Sequence, residues 1–246
     1  MKRFRADMHI HTVLSPCGSL DMSPGRIVRE AVAKKLDIIA VTDHNHTGHA
    51  RIVRKLGEEA GLYVVYGAEV TTREEVHCLA FFDTDEQLFT FQEYLDEHLP
   101  YMENNPDYFG DQVIVDRDEM ILEELDHSLY PGIDQSIDEV AKRVLGMDGL
   151  FVPAHVDRRM NGLYAQIGFL PPDLDVSAVE IHRNTNPEEY VREHPELKSL
   201  VIVQNSDAHY PEDIGRMWSE YLLEEPGFTE IAKAYRREDG REVIIP

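Results

Sequence analysis

The chain has 246 residues, 42% of them hydrophobic and 29% charged, the composition of an ordinary globular domain or one α/β barrel. No apolar run reaches the ~20 residues of a membrane span, Met1–His11 lacks an apolar signal core, and Cys17 and Cys78 are too few for a disulfide framework, so a reducing cytoplasm is expected. The net charge is −23, and residues 83–139 hold 18 acids against the single base Arg117, which argues against stable binding of duplex nucleic acid.

In chain order, short apolar strands alternate with helical patterns. Strands are expected at Phe4–Ile10, Asp37–Thr42, Tyr63–Val70, Val76–Phe82 and Leu150–Ala154, then at Ala178–Ile181, Leu200–Gln204, Met217–Leu223 and Glu242–Ile245. Ser23-Pro24 reads as an N-cap and N1 proline before a helix burying Ile27, Val28, Ala31 and Val32. Thr47 is expected to cap a helix ending before Gly61, and Asp85 another that stops before Pro100. Residues 101–133 lose periodicity between Asn-Asn-Pro and Tyr-Pro-Gly turns and read as an acidic insertion or lid. Helices follow from about Ser136 to Gly146 and over Thr229–Arg237, with a loop at Leu163–Asp175 between them. The alternation implies βαβ units, a mainly parallel sheet and one domain over 1–246, with a closed barrel favoured over an open sheet.

Polar residues recur where the apolar strands end. His9 and His11 are two apart on the first strand, so both imidazoles share a face and can reach one ion. An exposed polar strand end would explain that pair taken alone. Thr42-Asp43-His44 follows the second strand, where α/β barrels place their chemistry. Asp43 or Thr47 can also cap the following helix while His44 faces inward, and His46 and His49 read as solvated helix-start residues. Glu69 closes an apolar strand, where a carboxylate is costly to bury unless paired or metal-bound. His77 opens the next strand, His155 ends another, and Asp207-x-His209 follows Leu200–Val203. A satisfied core histidine would account for His77 alone. So many independent coincidences at strand ends point instead to a polynuclear metal site.

In order and spacing, Asp7-x-His9-x-His11, Thr42-Asp43-His44, Glu69, His77, His155 and Asp207-x-His209 resemble the PHP (polymerase and histidinol phosphatase) family. The resemblance implies a distorted, TIM-like (β/α)7 barrel of PHP type holding two to three divalent ions, with zinc, manganese and iron as candidates. It implies one ion on His9, His11, Glu69 and Asp207, and a second sharing Glu69 with His77 and His155. A third would take His44, His209 and Cys17, which stands where many members have histidine. A thiolate is a competent ligand, and the alternative is an ordinary buried thiol. Cys78, facing away from His77, is expected in the core.

Two or three cations bridged by Glu69 can activate a water and neutralise a phosphoryl group. The activity that the family resemblance implies is hydrolysis of a small phosphomonoester, histidinol phosphate- or nucleotide-like, by a metal-bridging hydroxide. Glu69 and Asp207 are the expected catalytic carboxylates, His182 a candidate general acid, and Arg158 and Arg183 candidate substrate-binding residues. Arg73, Arg159 and Arg216 also lie near the motifs, and for each of the five arginines taken alone a surface ion pair is the simpler reading. Two other readings remain. Amidohydrolase barrels also begin with His-x-His, but the mid-chain lysines Lys142 and Lys198 occupy no apolar strand end. Non-catalytic PHP accessory domains often lose ligands, and this chain keeps eight of nine positions.

Overall fold

The computed structural model describes residues 1–246. Its strands are β1 (Lys2–Ile10), β2 (Ile38–Val41), β3 (Tyr63–Thr71), β4 (His77–Phe82), β5 (Val113–Val115), β6 (Ile121–Glu124), β7 (Leu150–Pro153), β8 (Val179–Glu180), β9 (Ile202–Val203), β10 (Ser219–Leu223) and β11 (Glu242–Ile244). The helices are α1 (Pro24–Ala33), α2 (Ala50–Glu59), α3 (Asp85–His98), α4 (Pro106–Phe109), α5 (Ile137–Leu145), α6 (Leu163–Gln166), α7 (Pro187–Glu193) and α8 (Phe228–Arg236).

Seven strands form one curled sheet in the order β11-β10-β1-β2-β3-β4-β7. The short parallel pair β8-β9 continues the curve. Ser177 N donates to Phe151 O at 2.8 Å beside β7, and His11 N donates to Ala208 O at 2.9 Å after β9. The result is a distorted α/β barrel. The sheet is mixed rather than mainly parallel: only β1-β2, β2-β3 and β8-β9 pair in parallel. The cause lies in β3 and β4, which are joined by the tight Thr72–Val76 turn and so must run antiparallel.

Alternation along the strands fills the barrel in layers. Ala6, Met8, Ile38, Ala40, Val65, Leu79, Phe81 and Val152 pack together inside, while Ile39 and Val41 face outward beneath α1 and α2. A register irregularity between Asp7 and Ile10 lets β1 turn His9 and His11 inward although Met8 is also interior. Helix α8 seals the end where the strands begin: Phe228, Ile231 and Tyr235 join the interior core, and Phe228 N donates to Tyr63 Oη at 2.9 Å.

Local signals set the helix ends. Ser23 accepts from Arg26 N ahead of Pro24, and Ser136 with Glu139 closes a capping box on α5. Two expected caps move. Helix α3 starts from Thr84, which forms a capping box with Gln87, rather than from Asp85. Thr47 does not cap α2; its N–H and hydroxyl both donate to Gln92 Oε1, and the helix begins after His49.

Residues 101–133 contain α4 and the β5-β6 hairpin and lie over the loop between β1 and α1. Val113 and Val115 pack on Val13, and Leu125 and Leu129 on Leu14. Gly110 has φ +79°, and a Cβ there would stand 2.9 Å from the Pro16 carbonyl, so only glycine fits that crossing. No helix is long and apolar enough to cross a membrane.

Candidate metal centre

The ends of β1, β2, β3, β4 and β7 and the loop after β9 carry their polar residues to one point at the barrel mouth. Glu69 is its hub and is 1% exposed. Its Oε1 lies 2.9 Å from His77 Nδ1, 3.0 Å from His155 Nε2 and 3.3 Å from His9 Nε2. Its Oε2 lies 3.1 Å from His44 Nδ1 and 3.3 Å from His11 Nε2. Asp207 Oδ1 stands 3.4 Å from both His9 Nε2 and His11 Nε2. His209 turns its Nδ1 to the Asp207 carbonyl at 2.9 Å, which leaves its Nε2 free to ligate.

These separations suit ligands gathered around cations. Donor atoms on a tetrahedral ion at ~2.0–2.1 Å stand ~3.3 Å apart, and Glu69 and Asp207 each stand 3.3 to 3.4 Å from the Nε2 atoms of His9 and His11. The Nε2 atoms of His9 and His11 face each other at 3.3 Å, which is unfavourable for two lone pairs unless positive charge lies between them. His155 Nδ1 is buried without a hydrogen-bond partner. Three groups bring donor atoms within 4.8 Å: His9, His11 and Glu69; His44, Glu69 and His77; and His11, Cys17, His44 and His209. These groups hold seven of the nine expected residues, and His155 and Asp207 join them through Glu69, His9 and His11. His11 and His44 each stand in two groups, unlike the single assignments that the family resemblance implies.

Electrostatics agree with a cation site. Burial opposes charge on Glu69, yet His77, His9 and His44 drive its carboxyl well below the usual range. Asp207 is likewise depressed despite burial, chiefly by His9 and His11. Burial also disfavours imidazolium, but Glu180 and Glu69 raise His9 well above its ordinary value, and hydrogen bonds to Asp207 and Glu69 raise His11 to about 9. Burial holds His44 and His77 down and lowers His209 to about 4. Without metal, protons on His9 and His11 supply the positive charge that the carboxylates require.

Second partners hold the ligands in place. Both Glu180 oxygens lie 3.1 Å from His9 Nδ1, and Asn205 Nδ2 donates to Glu180 Oε2 at 2.9 Å. Ser15 Oγ lies 2.9 Å from His11 Nδ1. Asp43 is no helix cap: its Oδ1 accepts from Thr12 N at 2.7 Å and from Ser15 Oγ at 2.6 Å, folding the β1–α1 loop under the site. His49 is fully buried rather than solvated. Its Nδ1 lies 2.6 Å from Thr12 Oγ1 and its Nε2 accepts from Val115 N at 2.9 Å. His155 and Asp207 have φ of 27° and 50°, uncommon for side-chain-bearing residues and typical of functional sites.

Sequence reasoning missed Glu180 and Asn205. The signal for Glu180 was the one used for Glu69, an acid inside an apolar strand. Among the candidate substrate residues, Arg158 Nη1 donates to Asp207 Oδ2 at 2.9 Å, with 39% of its side chain exposed at the rim. Arg183 is more committed, donating to the Ser206 carbonyl and standing 3.8 Å from Asp213 Oδ2. His182 is half-buried, with its N–H on Asp157 Oδ1 at 2.7 Å. Arg73, Arg159 and Arg216 are exposed. Cys78 is fully buried in the core.

Barrel, strand-end ligands and buried histidine–carboxylate cluster together define a metal-site α/β barrel. A profile of the PHP domain matches residues 7–147, more than half of the sequence, and the chain belongs to the PHP domain family. It is 23% identical over 278 aligned positions to the uncharacterized protein YqxK of Bacillus subtilis, covering 99% of this chain and 65% of the relative. Among solved structures, the lesion-specific endonuclease PfuEndoQ of Pyrococcus furiosus superposes with a TM-score of 0.76 at 21% identity. That match covers 98% of this chain and 58% of the endonuclease, so the chain spans under two thirds of both proteins. A Bifidobacterium adolescentis protein provisionally described as a metal-dependent phosphoesterase matches with a TM-score of 0.55 at 24% identity, over 84% of this chain and 88% of that one.

Proposed function

We propose that this chain is a metal-dependent phosphoesterase acting on a small phosphomonoester, histidinol phosphate- or nucleotide-like. The observation that carries the reading is the convergence of His9, His11, Glu69 and Asp207 at ligand spacing in the barrel mouth. Divalent ions bound there would polarise a phosphoryl oxygen and supply a nucleophile from water near neutral pH. Zinc, manganese and iron suit the mixed nitrogen and oxygen donors.

The chain's own groups supply orientation and charge. Glu69 offers one oxygen to each side of the cluster, so one carboxylate can serve two ions. Arg158 sits at the rim beside Asp207, where its guanidinium can turn from that carboxylate to a phosphate oxygen. Arg183 holds the backbone of Ser206 in place next to Asp207 and contributes positive charge behind it. Burial lowers the pKa of His182, which makes its imidazole neutral at pH 7. With its Nδ1 accepting from Asn184 N at 3.4 Å, Nε2 carries the proton and can donate to a leaving oxygen.

A second reading, cleavage of a phosphodiester in nucleic acid, is favoured by the superposition on a lesion-specific endonuclease over 98% of this chain. The acidic segment beside the mouth weighs against long polyanions. One screen of the metal-reconstituted protein separates the two. Phosphate release is measured from histidinol phosphate, nucleoside monophosphates, nucleoside bisphosphates and sugar phosphates, alongside cleavage of intact and lesion-bearing oligonucleotides. Turnover of small monoesters with little oligonucleotide cleavage is expected. Cleavage confined to oligonucleotides would replace the first reading by the second.

A further inference from the structure

The acidic segment brings an aromatic side chain to the edge of the metal centre. The Tyr130 ring lies 6.3 Å from the ring of His44, with the planes 27° apart. Phe109, at the end of α4, stands 5.4 Å from Tyr130 on another side. Tyr130 thus neighbours both Phe109 of the segment and the expected ligand His44.

The backbone on both sides of Tyr130 is pinned. Asn45, the residue after His44, donates through Nδ2 to the carbonyls of Leu129 and Pro131 at 2.9 and 3.0 Å, while its Oδ1 accepts from Thr71 N at 3.0 Å. Asn45 holds φ 46°, so its backbone is bent to make this bridge. Leu129 is fully buried, and its N–H donates to Gln112 Oε1 at 2.8 Å. Between such fixed neighbours Tyr130 remains 41% exposed. A partly exposed aromatic ring held beside a reaction centre offers a ring-bearing substrate a stacking partner.

Charge assigns the ends of that substrate. A phosphate is drawn to the cations and to Arg158 beside Asp207, and is repelled by the acidic segment. An uncharged planar ring meets no such penalty and gains a stacking surface. We propose that Tyr130, backed by Phe109, is a specificity-determining platform on which a planar ring of the phosphoester substrate stacks beside the metal centre. This inference rests on the phosphoester reading above.

The test compares adenosine 5′-monophosphate with ribose 5-phosphate, which share phosphate and sugar and differ by the base. Binding to the metal-reconstituted protein is measured by calorimetry, and KM and kcat are determined for both compounds. Wild-type protein is expected to favour the nucleotide by about tenfold, the scale of one base–aromatic stack. Tyr130→Ala should abolish the preference by weakening nucleotide binding and raising its KM, with ribose 5-phosphate unaffected. Tyr130→Phe should keep it. Equal weakening of both ligands by Tyr130→Ala, or no wild-type preference for the nucleotide, overturns the platform while the phosphoester reading stands. Failure of the wild-type protein to bind or hydrolyse either compound overturns the platform, and the phosphoester reading falls with it when the wider phosphate-release screen is also negative.

Discussion

Glu180 places both of its carboxylate oxygens 3.1 Å from Nδ1 of His9, with Nε2 of the same ring directed at Glu69 and Asp207. The pair fixes the His9 tautomer and makes its Nε2 a stronger donor. In Glu180→Gln the amide nitrogen must face either His9 or Asn205 Nδ2, which already donates to this side chain at 2.9 Å. Metal affinity should fall about 10- to 100-fold, the usual cost of losing such a partner. Titration with a competing chelator measures it, and unchanged affinity would show that the pair serves only the fold.

Glu69→Gln should be the most damaging substitution that preserves shape. The amide removes a charge shared by five imidazoles, at 2.9 to 3.3 Å, and weakens two ion positions together. Activity is expected to fall at least about a hundredfold, the scale of losing a key electrostatic group. Steady-state rates on the metal-reconstituted variant are the measurement. Wild-type turnover would make Glu69 a structural residue.

Much of this centre was legible because its residues break a local rule. A histidine or acid closing an apolar strand needs a partner, and seven positions did so in one chain. The same rule located Cys78 in the core, one step from His77 on the other face. What was not legible depended on pairing across the sequence. Antiparallel β3-β4 follows from a turn whose tightness is visible, but β10 against β1 joins residues more than 200 apart. His49 does open α2, but it looked solvated because its buried partners, Thr12 and Val115, come from distant loops. Thr47 likewise gave up its cap for Gln92 on α3.

Metal binding should release protons. In the metal-free protein His11 titrates near 9, with burial opposing and Asp207 and Glu69 favouring its charge, and His9 is also raised. Ligation requires both neutral. Below about pH 9 the ion must therefore displace protons, so apparent affinity rises as pH increases toward 9. Calorimetric titrations in buffers of different ionisation enthalpy count the protons. Affinity independent of pH between 6 and 9 would contradict the charge balance described for this cluster.

The acidic segment is expected to restrict access rather than to perform chemistry. Asp116 is excluded from any neutralisation, because its Oδ1 accepts from Asp118 N and Met120 N at 2.9 Å and shapes the β5-β6 turn. Asp107, Asp111 and Asp118 can be changed to Asn together without touching those bonds. Discrimination against oligonucleotides should relax, with hydrolysis of a small aryl phosphate largely intact. Competition assays at fixed ionic strength read the change. Loss of small-substrate turnover in a folded variant would place these acids within the reaction itself.

Cys17 gives a test of the third ion position. Its sulfur lies within 4.8 Å of donor atoms of His11, His44 and His209, a nitrogen-rich pocket with one soft ligand. Burial, followed by the charges of Glu69 and Asp207, pushes the thiol pKa far up, so the metal-free protein keeps the proton on sulfur. Only a cation in the pocket would make it a thiolate. If one binds, Cys17→Ala should lower metal content by about one equivalent and reduce turnover without unfolding the chain. Cys17→His should restore a nitrogen ligand and the full complement, with altered metal preference. A merely packed thiol gives the opposite pattern. Alanine then costs little in metal or rate, while the bulkier histidine destabilises the loop by roughly 1–3 kcal/mol through overpacking. Elemental analysis and melting temperatures of the two variants distinguish these outcomes. Full metal content and activity in Cys17→Ala would reduce the centre to two ions and remove Cys17 from the ligand set.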